Sequence, residues 1–422
     1  MSIGQDASIV RRRHVFFVMG YDPRGVRTYY TLFRNQLKQA QKIWPIAANV
    51  GPLDETSEDV AAFTIESAGP NWKVVVRYEG LRLDHAIRTN LTQPLAIHVY
   101  RALRWILTDI ITGTTWRLWR ASGRFAAHLT YAQISLLIWI VLGGVAGAAT
   151  MFAAVRWLGS SELTGLAAGF LVGIGVFRAL LPLASYIHVH PLTNGWPYFR
   201  EYARGRPTTF DRPVEIFAER LVTAANVGEA DEILVIGHSG GGALVPAIVA
   251  RALERDNELG RHGPRIVLLT IGSILPGLAL HPAATWIREI VCRLAVESSI
   301  LWIDCQTRHD PISFRNFDLV TRLGLKLHAA RHNPLLWNVR FRDMISPAKY
   351  KRLIWNIFRM HFQFIMANDR RAPYDYLMFI CGPAPLEYWA RNGISALASF
   401  SDAAAYSPAG ATISPQNPIG PD

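Results

Sequence analysis

A serine set in a glycine-rich turn is the feature of this chain best placed to do chemistry. Residues 232–246 read Glu-Ile-Leu-Val-Ile-Gly-His-Ser-Gly-Gly-Gly-Ala-Leu-Val-Pro, so Ser239 stands in a Gly-x-Ser-x-Gly pattern between a β-rich run and a small-residue helical run. A turn that joins a strand directly to a helix strains the residue at its apex, and side chains two positions to either side would collide with backbone. Glycine at 237 and at 241 removes those side chains. The Ser239 hydroxyl is then lifted above the sheet edge as a nucleophile, and the backbone N–H of Gly240, at the helix start, points at a developing oxyanion. A phosphate-binding turn is the alternative. The absence of Gly-x-Gly-x-x-Gly, and of a lysine closing the loop, argues against it.

Gly237-His238-Ser239-Gly240-Gly241 resembles the elbow of lipases and esterases in the α/β-hydrolase superfamily. The resemblance extends over the chain outside an apolar hairpin described below, and its specificity lies mostly in the elbow. It implies a triad in the chain order Ser, Asp, His, with the acid after the second strand past the elbow and the histidine after the last strand. That second strand is expected at 299–304 and runs into Cys305-Gln306-Thr307-Arg308-His309-Asp310-Pro311. Asp310, past the strand end and followed by a proline, is the candidate acid. Asp304, inside the strand, is its rival, and a plain Asp-Pro turn is the other reading of Asp310. Of His328, His332 and His361, only His361 lies beyond the last expected strand, 337–343. It is the candidate base, taking the Ser239 proton and returning it to the leaving group. An amphipathic helix carrying a satisfied histidine is the alternative for that stretch. His238 takes its usual place beside the elbow and is not read as the base. A second oxyanion donor is implied in the turn after an earlier strand, at the backbone N–H of Tyr21 in Met19-Gly20-Tyr21-Asp22, where a simple β-turn fits equally well. Two strands that often precede the first in this superfamily have no counterpart, so a sheet cut down on one edge is expected.

The elements that must position these residues alternate. Strands are expected at 14–20, at 61–66 and 72–78 as a hairpin, and at 232–236, 265–271, 299–304 and 337–343. Helices are expected at 29–44, 214–226, 241–255 and 348–367. Such alternation argues for an α/β fold with a mostly parallel sheet flanked by helices, and the resemblance makes it α/β-hydrolase-like, with two inserted transmembrane helices. Residues 398–422, rich in Ala, Ser, Pro and Gly, read as a disordered tail.

Residues 132–155 carry no charge, and that length crosses a bilayer core of about 30 Å as a helix. Arg156 and Trp157 close it. A second apolar run, 163–189, holds one charge, Arg178. The spans are placed at about 132–157 and 163–187, with a hairpin buried in a soluble core as the alternative. Arg117, Arg120 and Arg124 precede the pair and Arg200, Arg204 and Arg206 follow it, whereas the link holds Arg156 offset by Glu162. The positive-inside rule then puts both flanks, and both termini, in the cytoplasm. Residues 1–131 and 190–397 are thus free to form one domain around a membrane hairpin, 132–189.

Composition agrees. Of 422 residues half are apolar and 18% charged, and the mean hydropathy of +0.14 is high for a wholly soluble chain. The net charge of +12, from 44 basic and 32 acidic residues, comes without a Lys-rich or Gly-Arg tract. The arginines therefore read as flanks of membrane helices, and nucleic acid is not an expected partner. Three cysteines, far apart, imply neither a disulfide framework nor a zinc site. No metal-ligand cluster and no cofactor fingerprint occurs, so neither metal nor cofactor is expected. The expectation is a membrane-anchored serine hydrolase acting on an ester or thioester, with a small or lipid-like acyl substrate. Acyl transfer or amide cleavage by the same triad is one alternative, and a catalytically silent binding module is another. Two spans with one internal charge offer little of a transport pathway.

Overall fold

The β-rich runs assemble into one eight-stranded mixed sheet in the computed structural model, which describes residues 9–186 and 189–408. The strands are β1 (Arg12–Val18), β2 (Ala47–Val50), β3 (Val60–Gly69), β4 (Trp72–Leu81), β5 (Glu232–His238), β6 (Arg265–Ile271), β7 (Ile300–Gln306) and β8 (Leu335–Asn338). Their order is β2-β3-β4-β1-β5-β6-β7-β8. The β2–β3 and β3–β4 pairs are antiparallel, and every other pair is parallel.

Burial explains the composition of each strand. β5 is buried along its whole length and β6 along nearly all of it, so both read as continuous apolar runs, as parallel strands covered on both faces must. The first part of β4 alternates buried and exposed residues instead, the pattern of a strand with one wet face. Neighbouring residues of β1 point to opposite faces. Phe16 meets Phe217 of the helix Asp211–Val227 with ring centroids 5.3 Å apart, while Phe17 meets Tyr29 of the helix Val26–Ala40 at 5.7 Å. The sheet is thus covered on both sides.

The chain path singles out one place on the sheet. From β1 the chain crosses to the far edge, enters β2, and returns through the β3–β4 hairpin to pair with β1 from that side. β5 pairs with the other side of β1. The winding reverses at β1, and the crevice beyond the carboxyl ends of β1 and β5 is where open α/β sheets receive ligands. At the opposite end, Arg13 is a buried clamp. Its Nε donates to Glu232 Oε2 at 2.8 Å, and its Nη1 donates to the carbonyls of Ile380 at 2.7 Å and Gly382 at 2.8 Å. Glu232 Oε1 in turn accepts the Leu386 N–H at 2.8 Å.

Three expectations are corrected. The sheet is not cut down on one edge, because β2 and β3, which follow β1 in the chain, fill it. The stretch 337–343 is strand only to Asn338, and the single helix expected at 348–367 is broken into Pro347–Leu353, Ile357–Phe362 and a 3₁₀ turn. The expected tail is packed over residues 398–408, where Phe400 and Tyr406 form a β-bridge and are buried against Trp389 and each other. Aromatic residues in an otherwise small, polar segment supplied the apolar area to hold it. The remainder of that segment lies outside the described residues.

Of the described residues, 9–89 and 202–408 form one compact unit, which holds the sheet, and 90–186 with 189–201 form a second. Residues 90–131 therefore group with the apolar pair. Two helices of the second unit, Gly123–Trp157 and Glu162–Tyr186, are long and apolar enough to cross a membrane. The first begins well before residue 132. Its opening turns bury Phe125, Ala126 and Leu129. The most apolar 18-residue windows are only 22% and 6% buried. Glycines line the contact between the two helices. A Cβ on Gly147 would stand 2.6 Å from the Gly169 carbonyl oxygen, and one on Gly143 would stand 2.8 Å from that of Gly173. Such small residues let two helix backbones pack closely.

Candidate active site

β5 ends at His238 and the helix Gly241–Arg255 starts two residues beyond Ser239, so the turn between them is tight. Ser239 occupies it with φ +58°, in the left-handed region that non-glycine residues avoid. That conformation costs roughly 1–2 kcal/mol. It is held by the Ser239 N–H, which donates to the Ile271 carbonyl at 2.9 Å, and by the Ser239 carbonyl, which accepts from Gly242 N–H at 3.1 Å. A Cβ on Gly241 would lie 2.0 Å from the Val18 carbonyl oxygen, and one on Gly237 would lie 2.5 Å from that of Gly241. The two flanking glycines are therefore steric requirements of the turn.

The end of β1 faces the same serine. A Cβ on Gly20 would be 3.1 Å from Ser239 Cβ and 3.3 Å from its Oγ. The Asp22 N–H donates to the Gly20 carbonyl at 2.8 Å, which closes a tight turn around Tyr21. Gly240 caps the helix Gly241–Arg255 with φ −58° and ψ −36°, and an N–H at this position has no partner within the helix. Both expected oxyanion donors, Tyr21 and Gly240, thus adjoin the strand ends that carry Gly20 and Ser239.

His361 ends up in the last turn of the helix Ile357–Phe362, whose start is fixed by Asn356 Oδ1 accepting the Arg359 N–H at 3.0 Å. Its Nδ1 is 2.5 Å from Asp310 Oδ2, while Asp310 Oδ1 accepts the Ile312 N–H at 2.9 Å. With Nδ1–H donated to the carboxylate, Nε2 carries the lone pair, and that nitrogen has no hydrogen-bond partner. The Nδ1 of His238, in the same site, has no hydrogen-bond partner either. A Cβ on Gly272, which follows β6 with φ +52°, would be 3.1 Å from His361 Cε1. The preceding residue, Ile271, accepts the Ser239 N–H. His238 reaches the same imidazole from the other side. Its ring centroid lies 4.6 Å from that of His361, and its Nε2 lies 3.4 Å from the His361 carbonyl oxygen. Burial, and then the neighbouring imidazole, hold the His238 pKa well below the ordinary histidine value, so this ring is neutral.

The two aspartates near the end of β7 have different partners. Asp304 Oδ1 accepts from Thr270 Oγ1 at 2.6 Å and its Oδ2 accepts from Gln306 Nε2 at 2.8 Å. Burial pushes its pKa up to about 6. Both its oxygens are engaged, and Asp310 is the one that meets the imidazole. The other downstream histidines belong elsewhere: His328 lines an exposed groove along the helix Thr285–Val296, and the His332 N–H donates to the Ala295 carbonyl.

Sequence reasoning missed Gly272, whose position directly after the β-rich run 265–271 was the available signal. It also missed Phe362 and Arg24. Phe362 packs edge-on to His238 at 5.5 Å, and Arg24, paired with Asp22, lies over the Phe362 ring at 5.9 Å. No family model, no curated protein and no solved structure matches this chain.

Proposed function

We propose that this chain is a membrane-anchored serine hydrolase of the α/β-hydrolase type that cleaves an ester or thioester. The observation that carries the reading is the buried His361–Asp310 pair at 2.5 Å, with its unpartnered Nε2 next to the strand end that holds Ser239 at φ +58°. In the proposed reaction, Ser239 Oγ attacks the acyl carbon while His361 Nε2 takes the hydroxyl proton. Asp310 keeps Nδ1–H pointed away and stabilises the imidazolium. The oxyanion is received by the N–H groups of Gly240 and Tyr21. His361 then protonates the leaving alcohol or thiol, which leaves Ser239 acylated. Water, deprotonated by the same imidazole, releases the acid and restores the serine.

The sheet order favours this reading, because the winding reverses at β1 and the nucleophile stands at that switch point. The anchor rests on the two helices Gly123–Trp157 and Glu162–Tyr186, which leave large side chains such as Ile138, Leu142, Phe152, Phe170 and Leu171 exposed. A pair packed in a soluble core would bury them. Arginines on both flanks put the catalytic unit and both termini in the cytoplasm, and an anchor that holds the site beside a bilayer suits a lipid-like acyl substrate.

A fluorophosphonate probe, which labels activated serines, tests this in the full-length protein held in detergent or nanodiscs. Wild type is expected to label and Ser239→Ala to lose labelling completely. A folded wild-type protein that resists the probe sinks the enzyme and favours a binding module. Turnover of acyl esters with an added alcohol or amine separates hydrolysis from acyl transfer.

A further inference from the structure

The helix Leu95–Ile111 has two unlike faces. Ala102, Trp105, Ile106 and Asp109 are buried, and this inner side is pinned by polar contacts. Asp109 Oδ2 accepts from Arg200 Nη2 and from Trp105 Nε1, each at 2.9 Å, and the Arg200 guanidinium stacks 4.9 Å from the Trp196 ring centroid. The outer side carries Tyr100, Leu103, Leu107, Ile110 and Ile111, which are exposed; Leu107 is 58%, Ile110 61% and Ile111 73% exposed. At helical spacing these five fall within a stripe about 100° wide. Next, the short helix Thr114–Ala121 buries Leu118 and exposes Trp116 and Trp119. The apolar stripe is not a fold-stabilising surface, since nothing in the protein is gained by leaving these residues bare.

Charge and continuity point to what covers it. Residues 92–124 hold five arginines (101, 104, 117, 120 and 124), of which Arg101 donates to Asn90 and Arg104 lies 3.9 Å from Glu201, and their one acid, Asp109, is buried against Arg200. Directly after Ser122, which caps it, the helix Gly123–Trp157 begins. An apolar stripe with Arg104 and Arg101 along one side, followed by two tryptophans and joined through the capping Ser122 to a helix long enough to span a bilayer, has the make-up of a segment lying in a membrane interface. We propose that Leu95–Ile111 and Thr114–Ala121 lie in the plane of the cytoplasmic leaflet, with the stripe among the acyl chains and the arginines among anionic lipid phosphates. This deepens the membrane-anchored reading and rests on it, but not on the catalytic one. The buried Asp109–Arg200 pair keeps the helix from rolling its polar side into lipid.

The test places the environment-sensitive fluorophore NBD on single cysteines in a Cys292→Ser background, where the remaining cysteines are buried. Leu107→Cys is the test site. Leu142→Cys, in the spanning helix, is the lipid reference, and Ile394→Cys, 74% exposed in the sheet unit, is the aqueous one. The full-length protein is reconstituted in nanodiscs containing phosphatidylserine, with nitroxide on lipid acyl carbons at shallow or deep positions. Position 107 is expected to resist aqueous iodide at least fivefold better than 394. Shallow nitroxide should quench it more than deep nitroxide, the reverse of position 142. If 107 matches 394 while 142 stays protected, the in-plane helix is wrong and the anchor stands. If 142 is also open to iodide, both readings fall. Protection at 107 without nitroxide quenching means that protein covers the stripe, which overturns the proposal.

Discussion

The sheet and the two long apolar helices handle the same residue types in opposite ways. Around the sheet, Phe16, Phe17, Trp302 and Trp389 point inward, and the buried polar groups Arg13, Glu232, Asp304 and Asp310 each have a partner. In Gly123–Trp157 and Glu162–Tyr186 the glycines at 143, 147, 165, 169 and 173 point inward, while Ile138, Leu142 and Phe170 point out. Water drives large apolar groups into a core; in the membrane location proposed for the helix pair that drive is removed, and close backbone contact between small residues takes over. A carboxylate and an imidazole held 2.5 Å apart need rigid, dry surroundings, and the strand ends supply them.

The comparison can be broken, and the largest effect is expected at the polar pair. Asp310→Asn should lower the acylation rate on the order of 10⁴-fold by misplacing the imidazole proton. Asp304→Asn should change it less than about tenfold, because Asp304 touches Thr270 and Gln306 and not the imidazole. Equal losses in a labelling time course would end the distinction between the two acids. The clamp at the other end of the sheet comes next. Arg13→Met leaves Glu232 buried without its cation, and should cost about 3–5 kcal/mol by denaturant titration. An unchanged midpoint would mean the polar contacts of the sheet unit carry no weight.

In the apolar pair the sensitivity should invert. Gly147→Leu forces a side chain against the Gly169 backbone and should open the hairpin to cysteine crosslinking loss and proteolysis in nanodiscs, whereas Leu142→Ala, on the outer face, should change neither. The opposite ranking would return these helices to an ordinary core. The smallest effect is in pH. Asp304 has its folded pKa raised to about 6 from 3.8. Between those values the native state keeps a proton that the unfolded chain has lost, so stability falls as pH rises through the window and levels off above about pH 6. Asp375, raised to about 6 by burial beside Trp44, adds to the same slope. Asp304→Asn should flatten part of that slope in thermal melts read from pH 4 to 7, and a slope identical to wild type would refute the assignment.

Much of this was legible along the chain because it is local. The helix 241–255 and strand 265–271 have the bounds that periodicity and punctuation predict: the helix closes its hydrogen bonds within a turn, and the strand, though paired with β5 and β7, shows itself as one continuous apolar run. The elbow was readable in part for the same reason: the collisions that demand Gly237 are made within the turn, with Gly241 and Val245, whereas those that demand Gly241 come from Val18 and Met19 at the distant end of β1. β2, only four residues long and half exposed at the sheet edge, leaves no such trace. Nor does the break in 348–367, which is made by packing under Met360 and Phe364.

The sequence by itself therefore determined a strained serine between a strand and a helix, the two long apolar helices, and a short list of acids and bases. Tertiary structure decided which of them meet. Asp310 and His361 are 51 residues apart and Asp304 differs from Asp310 by six positions, so no local preference separates the two acids. The sheet does so: Asp304 lies inside β7 and spends its oxygens on Thr270 and Gln306, while Asp310 lies past the strand end, where the helix Ile357–Phe362 delivers the imidazole. Contacts closed over long stretches of chain are set by how layers pack, and packing leaves no period in the sequence to be read.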